Sequence, residues 1–157
     1  MKNKITNINE LPKLRKTYKN KKIGLAHGVF DLFHYGHLLH LKRAKNFCDI
    51  LIISITSKKH VSKAPGRPFY DDDQRLKLLS SLDLVDFVLI SNSTSSIQII
   101  NKLKPDIYFK GNEYSNFESD HTGKISKEIE EIKKNKGKII FTREPSLSST
   151  KLINNFS

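Results

Sequence analysis

The stretch IGLAHGVFDLFHYGHLLHLKRAKNFCDILIISIT, residues 23–56, decides the fold. Its first four residues, Ile23–Ala26, are short, apolar and closed by a glycine turn, which fits a buried strand. Residues 36–48 then place Leu38, Leu41, Ala44 and Cys48 at helical spacing with Lys42, Arg43 and Lys45 between them, which predicts an amphipathic helix. DILIISIT, residues 49–56, is a continuous apolar run too short for a typical helix and rich in isoleucine, so it reads as a strand covered on both faces. The chain opens strand, helix, strand.

The alternation continues downstream. Lys58–Pro68 is a basic loop in which two prolines flank Gly66, and Asp71–Asp73 offers capping carboxylates ahead of Leu76, Leu79 and Leu82. A strand over Phe87–Ile90 follows. Ser95 or Ser96 caps a helix carrying Ile97, Ile100 and Leu103, which Pro105 ends before a strand at Asp106–Phe109. Residues 111–123 form a polar loop. Ile125, Ile129 and Ile132 mark another helix, Gly137 its stop, and Lys138–Thr142 a fifth strand; Ser148 or Ser149 opens a last short helix. This pattern predicts an α/β fold, a single Rossmann-like doubly wound domain over residues 22–157 with a five-stranded parallel sheet, after a basic lead-in at 1–21. Such sheets bind ligands beyond the carboxyl ends of their strands, so site residues belong just after each strand.

Composition narrows the class. With 157 residues and 37% hydrophobic content the chain can bury one core. No apolar run approaches the roughly 18 residues of a membrane span, and the start MKNKITNINE lacks a secretory pattern, so a cytoplasmic protein is expected. Cys48, the single cysteine, excludes an internal disulfide or a multi-cysteine metal site and reads as an ordinary buried thiol. The net charge is +12, of which residues 1–22 contribute +7 through eight Lys or Arg against Glu10 alone. A solvated lysine-rich lead-in together with phosphate pockets accounts for this charge, whereas no interleaving of aromatic and basic residues suggests a nucleic-acid partner. An enzyme should keep its activity without residues 1–20; a nucleic-acid reader should not.

The chemistry concentrates in Gly28-Val29-Phe30-Asp31-Leu-Phe-His34-Tyr-Gly36-His37, on the first strand-to-helix turn. Two histidines three apart at a helix N-terminus, with a glycine permitting close backbone approach, suit an anion. His34 and His37 can donate hydrogen bonds to phosphoryl oxygens as charge builds during in-line displacement. A metal pair or two ordinary surface histidines are the alternative readings of the same residues.

This decapeptide resembles the signature of the cytidylyltransferase-like nucleotidyltransferases, which include glycerol-3-phosphate and phosphocholine cytidylyltransferases and the nucleotidyl domain of ADP-heptose synthase. The resemblance spans about residues 22–155 and implies the same fold. Lys63-Ala-Pro-Gly-Arg67-Pro followed by Asp73-Gln-Arg75 matches a phosphate-contacting loop and helix start, which gives Lys63 and Arg75 that role beside His34 and His37; Arg75 could instead pair with Asp72 or Asp73, and Arg67 reads as a solvated loop charge. Lys110-Gly111-Asn112-Glu113-Tyr114 is similar to a KGxDY-type element, with Asn112 where an acid is common. Arg143-Glu-Pro-Ser-Leu-Ser148-Ser149-Thr150 is similar to RTEGISTT but lacks its glycine. The resemblance therefore implies nucleotide contacts from Gly28, Val29, Phe30, Asp31, Gly36, Lys110, Gly111, Glu113, Arg143, Ser148, Ser149 and Thr150. Asp31 either orients the site or a metal-bound water, or caps the turn.

The expected reaction is transfer of CMP from CTP to a sugar- or polyol-phosphate with release of pyrophosphate. Mg²⁺ accompanies the triphosphate, and no metal ligand is assigned to the protein. The alternatives are an adenylyltransferase of the ADP-heptose synthase kind, using ATP, and a non-catalytic nucleotide- or RNA-binding module. The resemblance further implies a homodimer, and in fused relatives a partnering sugar kinase. A phosphate monoester is already largely dianionic at neutral pH, so no general base or nucleophilic side chain is required.

Overall fold

The computed structural model describes residues 3–61, 65–111 and 123–143. Lys63, Glu113, Ser148, Ser149 and Thr150, the loop after Gly111 and the expected last helix lie outside the described residues. The apolar runs form β1 (Ile23–Gly28), β2 (Ile50–Thr56), β3 (Phe87–Ser91), β4 (Ile107–Gly111) and β5 (Lys138–Thr142). Helices α1 (Leu11–Thr17), α2 (Tyr35–Lys45), α3 (Asp72–Ser80), α4 (Ile97–Leu103) and α5 (Lys124–Lys134) accompany them.

Every strand pairing is parallel, in the order β3-β2-β1-β4-β5. The chain steps from β1 to β2 to β3 and then returns to lay β4 on the other side of β1. The order reverses between β1 and β4, which places the crevice of a doubly wound sheet at their carboxyl ends. One core joins Leu41 and Ala44 of α2 and Leu79 of α3 to Ala26, Ile53, Ile55, Val88 and Phe109. The other joins Leu11, Ile99, Ile100, Leu103 and Ile132, from α1, α4 and α5, to Leu25, Ile52, Leu89 and Tyr108. Strands β1 and β2 are covered on both faces, which is why they read as unbroken apolar runs.

Local signals mostly act where the sequence places them. Asp71 caps α3 by accepting from the Gln74 N–H at 2.8 Å, and the Gln74 side chain accepts from the Asp71 N–H in return. At α4 the two serines divide the work. Ser95 Oγ accepts from the Ile97 N–H, while Ser96 turns inward to Tyr108 and Glu128. Gly137 is required by close approach, because a Cβ there would sit 2.5 Å from the Pro105 carbonyl oxygen; the left-handed turn after α5 falls on Lys136. Cys48 is half-buried, and burial pushes its thiol up to about 11, so it stays protonated.

The lead-in is the main correction. Residues 3–21 are not a solvated tail but carry α1 and a backbone link in which Thr6 N–H and Val88 N–H bond the carbonyls of Val88 and Lys4. Pro12 sits in the first helical turn, where its missing N–H costs nothing. Leu11 is 0% exposed. Arg15 donates to Asp106 at 2.9 Å and to the carbonyls of Tyr18 and Lys21, so part of the lead-in's charge is structural. The apolar residues Leu11, Leu14 and Tyr18 are helically spaced, but six lysines and arginines between residues 13 and 22 hide the pattern.

Removing residues 1–20 therefore takes away part of the cover of one sheet face, where Leu11 packs beside α4 and α5, and should destabilise the domain rather than leave its activity untouched. The milder change Leu11→Ala should cost about 2–5 kcal/mol in a denaturant titration. A loss below about 0.5 kcal/mol would mean that α1 is not part of the cooperative unit.

Candidate active site

The N-terminus of α2 faces the switch point, and its own side chains cap it. His34 is the N-cap residue, with extended backbone at φ −133° and ψ 177°. Its Nδ1 accepts from the N–H groups of Gly36 at 3.1 Å and His37 at 3.4 Å. His37 Nδ1 accepts in turn from the His34 N–H at 3.2 Å. This is a capping box built from two imidazoles instead of the usual hydroxyl and carboxylate.

The reciprocal cap fixes the chemistry of both rings. A nitrogen that accepts a backbone N–H cannot carry a proton, so in the neutral form each ring is protonated on Nε2. The rings stack with centroids 3.8 Å apart and planes 20° from parallel. Burial lowers the His34 pKa from its ordinary value, which favours this neutral form at physiological pH. One expectation changes as a result: the Gly36 and His37 amides are engaged by His34, so the donors the motif presents to an anion are imidazole Nε2–H groups rather than bare helix amides.

Around the pair, Phe30 and Phe33 pack against His37, with centroids at 5.2 and 5.5 Å. Phe30 is buried and holds φ +49°, an unusual conformation for a side chain of its size. Gly28 leaves room for it, since a Cβ there would lie 3.2 Å from the Phe30 ring.

Two charged residues assigned to the nucleotide by resemblance are also engaged within the protein. Arg75 is 1% exposed. Its guanidinium donates to the carbonyls of Val29 (3.0 Å), Thr56 (2.8 Å) and Asp71 (3.3 Å) and to the Asp72 carboxylate (2.6 Å), which uses four of its five donors. Pairing with Asp72 is the alternative the sequence left open, and burial lowers the Arg75 pKa. Asp31, 2% exposed, binds Arg67 Nε with one carboxylate oxygen and the Phe69 N–H with the other. These contacts fit the capping role that the sequence left open for it. Arg67, read from sequence as a solvated charge, is a half-buried residue whose guanidinium pairs with the buried Asp31 carboxylate.

Across the crevice, Lys110 lies next to the end of β4 with its ammonium 5.5 Å from the Tyr108 ring centroid, and it is 8% exposed. Gly111 pairs with Thr142 at the end of β5. Arg143 is exposed immediately beyond. His40, one turn along α2 from His37, lies 2.5 Å from Thr142 Oγ1 and so ties α2 to the strand that delivers Arg143. Val29 contributes its carbonyl to Arg75. Among the described residues, no three His, Cys, Asp or Glu side chains come together as a metal cage.

Sequence reasoning missed His27. It is the penultimate residue of β1, with Nδ1 2.7 Å from Ser54 Oγ and Nε2 3.5 Å from Thr56 Oγ1, and the ring bonds the Thr94 backbone. Burial, reinforced by the nearby Lys110 charge, pushes its pKa down to about 3. The available signal was a histidine near the end of an otherwise apolar strand.

Comparison with known proteins gives this geometry its class. The Cytidylyltransferase-like family profile matches residues 25–155, and the chain belongs to that family of nucleotidyltransferases. The bifunctional protein HldE of Helicobacter pylori strain P12 is 41% identical over 110 residues, covering 69% of this chain and 24% of that protein. HldE of Geobacter metallireducens is 34% identical over 116 residues, covering 71% and 24%. The chain thus spans about a quarter of the length of these curated relatives. A lipopolysaccharide core biosynthesis protein from Thermoplasma volcanium superposes with a TM-score of 0.61 at 25% identity, covering 82% of this chain and 99% of that one. Pantoate-beta-alanine ligase from Francisella tularensis, complexed with beta-gamma ATP and beta-alanine, reaches 0.67 at 20% identity, covering 96% and 72%, and shares the fold alone. No helix among the described residues is long and apolar enough to cross a membrane.

The neutral His27 makes stability depend on acid. The unfolded chain takes up a proton as pH falls below 6.5, and the folded chain resists until about 3, so stability declines as pH drops through that window. The thermal midpoint should fall between about pH 7 and pH 5, and His27→Gln should flatten that fall. An unchanged slope in the variant would show that His27 is protonated in the fold.

Proposed function

We propose that the chain transfers a nucleoside monophosphate from a triphosphate to a sugar phosphate, with ATP ahead of CTP as donor. The observation that carries this reading is the stacked, reciprocally capped His34–His37 pair at the switch point, with both Nε2–H donors set by the cap. The order of donors departs from the CTP expectation because the relatives at 34–41% identity are HldE proteins. The resemblance of Lys110–Tyr114 to the KGxDY-type element of ADP-heptose synthase supports the same choice. CMP transfer remains the second reading, favoured by the family's description.

In this mechanism an oxygen of the acceptor's phosphate attacks the α-phosphorus, forming a new P–O bond, while the bond to the bridging oxygen breaks and pyrophosphate leaves with its electron pair. The attacking dianion needs no base. His34 and His37 donate Nε2–H hydrogen bonds to oxygens that gain charge as the bonds exchange. Lys63, Lys110 and Arg143 supply cationic contacts to phosphates. Magnesium belongs to the triphosphate substrate, since Asp31 is engaged by Arg67 and Phe69 and does not suit a metal. The acceptor must arrive phosphorylated, so a kinase-class reaction must supply it. A homodimer is proposed on the family resemblance.

Pyrophosphate release with ATP and CTP across a panel of sugar and polyol phosphates tests the reading, with ATP and a sugar phosphate expected to turn over fastest. His34→Asn keeps a good N-cap residue but removes the ring, so α2 should persist while kcat falls by about 100- to 1000-fold. His37→Ala should lower kcat similarly and change KM little. Unchanged turnover in both variants would remove the pair from the mechanism.

A further inference from the structure

The turn that delivers the two histidines is clamped from the neighbouring segment at two points. Arg75 holds the Val29 carbonyl at 3.0 Å, and Asp31 is bound by the Arg67 guanidinium and the Phe69 amide. Phe30 lies between the two clamped residues at φ +49°. A bulky residue stays in that conformation only where its surroundings hold it. The held conformation sets the Phe30 ring against His37, centroid to centroid at 5.2 Å.

The Asp31–Arg67 pair is itself informative. Its side chains are 1% and 9% exposed. A buried ion pair adds little net stability over an apolar pair of the same size, because desolvation offsets the attraction. What it does supply is direction: a guanidinium and an amide both aimed at one carboxylate fix the distance between two loops. The two loops are the one that precedes His34 and the one that enters α3.

We infer that Asp31 and Arg67 are positioning residues, which hold Phe30 in its strained conformation and through it set the placement of the His37 ring. The inference rests on the nucleotidyl-transfer reading for its kinetic consequence and on geometry alone for its structural one. Neither residue donates to the reacting phosphates. They act one contact away, and a misplacement of that kind can cost about 100-fold in turnover.

The test is a double-substitution cycle in the full chain with Asp31→Asn, Arg67→Gln and the two combined. Each single change should lower kcat by about 100-fold while the nucleotide KM stays within about threefold, and the pair should be no worse than either alone. Imidazole NMR of the nucleotide-free protein is read alongside, and in each variant the His37 resonances should move. Arg67→Lys, which keeps the charge without the planar fork, is the reserve should Asp31→Asn fail to fold, and it should show the same NMR change. Arg67→Gln raising the nucleotide KM about tenfold at constant kcat, additively with Asp31→Asn, would overturn the inference by making Arg67 a phosphate ligand. If the unsubstituted chain transfers no nucleotide from either triphosphate, the function fails but the NMR arm still decides: unmoved His37 signals would overturn the latch.

Discussion

The mutual capping of His34 and His37 is the constraint on which the site depends. A helix N-terminus ordinarily meets an anion with its own unsatisfied amides. Here three of those amides, on His34, Gly36 and His37, bond imidazole Nδ1 atoms within the turn. The helix thereby passes its donor role to two imidazole Nε2–H groups. One set of hydrogen bonds starts α2, orients both rings and decides which nitrogen carries the proton.

Charge elsewhere follows the same logic of scaffolding. Arg75 gathers the carbonyls at the ends of the β1 and β2 segments, and Arg67 and Asp31 join the two loops beside the histidines. Arg15 fastens α1 to the opposite end of the sheet through Asp106. A net charge of +12 therefore overstates the charge available to ligands, because several cations are already committed within the fold. This matters for any reading of a basic chain as a polyanion binder.

The middle of the sheet was legible in the sequence because β1 and β2 are covered on both faces and are therefore mostly apolar. β2, whose apolar run is unbroken from Ile50 to Ile53, is the clearest example. The histidine motif was legible for a different reason: its spacing places both rings on one turn. What the sequence concealed depends on contacts between distant residues. Nothing local marks Arg67 as an ion-pair partner, since Asp31 lies 36 residues away. His27 was hidden because its Ser54, Thr56 and Thr94 neighbours come from other segments, and α1 because lysines dilute its short apolar stripe.

Long-range ¹H–¹⁵N correlation spectra of the imidazoles, recorded at neutral pH without ligand, test the central claim most directly, because they read the protonation of each ring nitrogen. The account predicts that His34 and His37 are both neutral and both protonated on Nε2. Either ring carrying its proton on Nδ1 would mean that the reciprocal cap does not form, and the donor geometry assigned to the site would be lost with it.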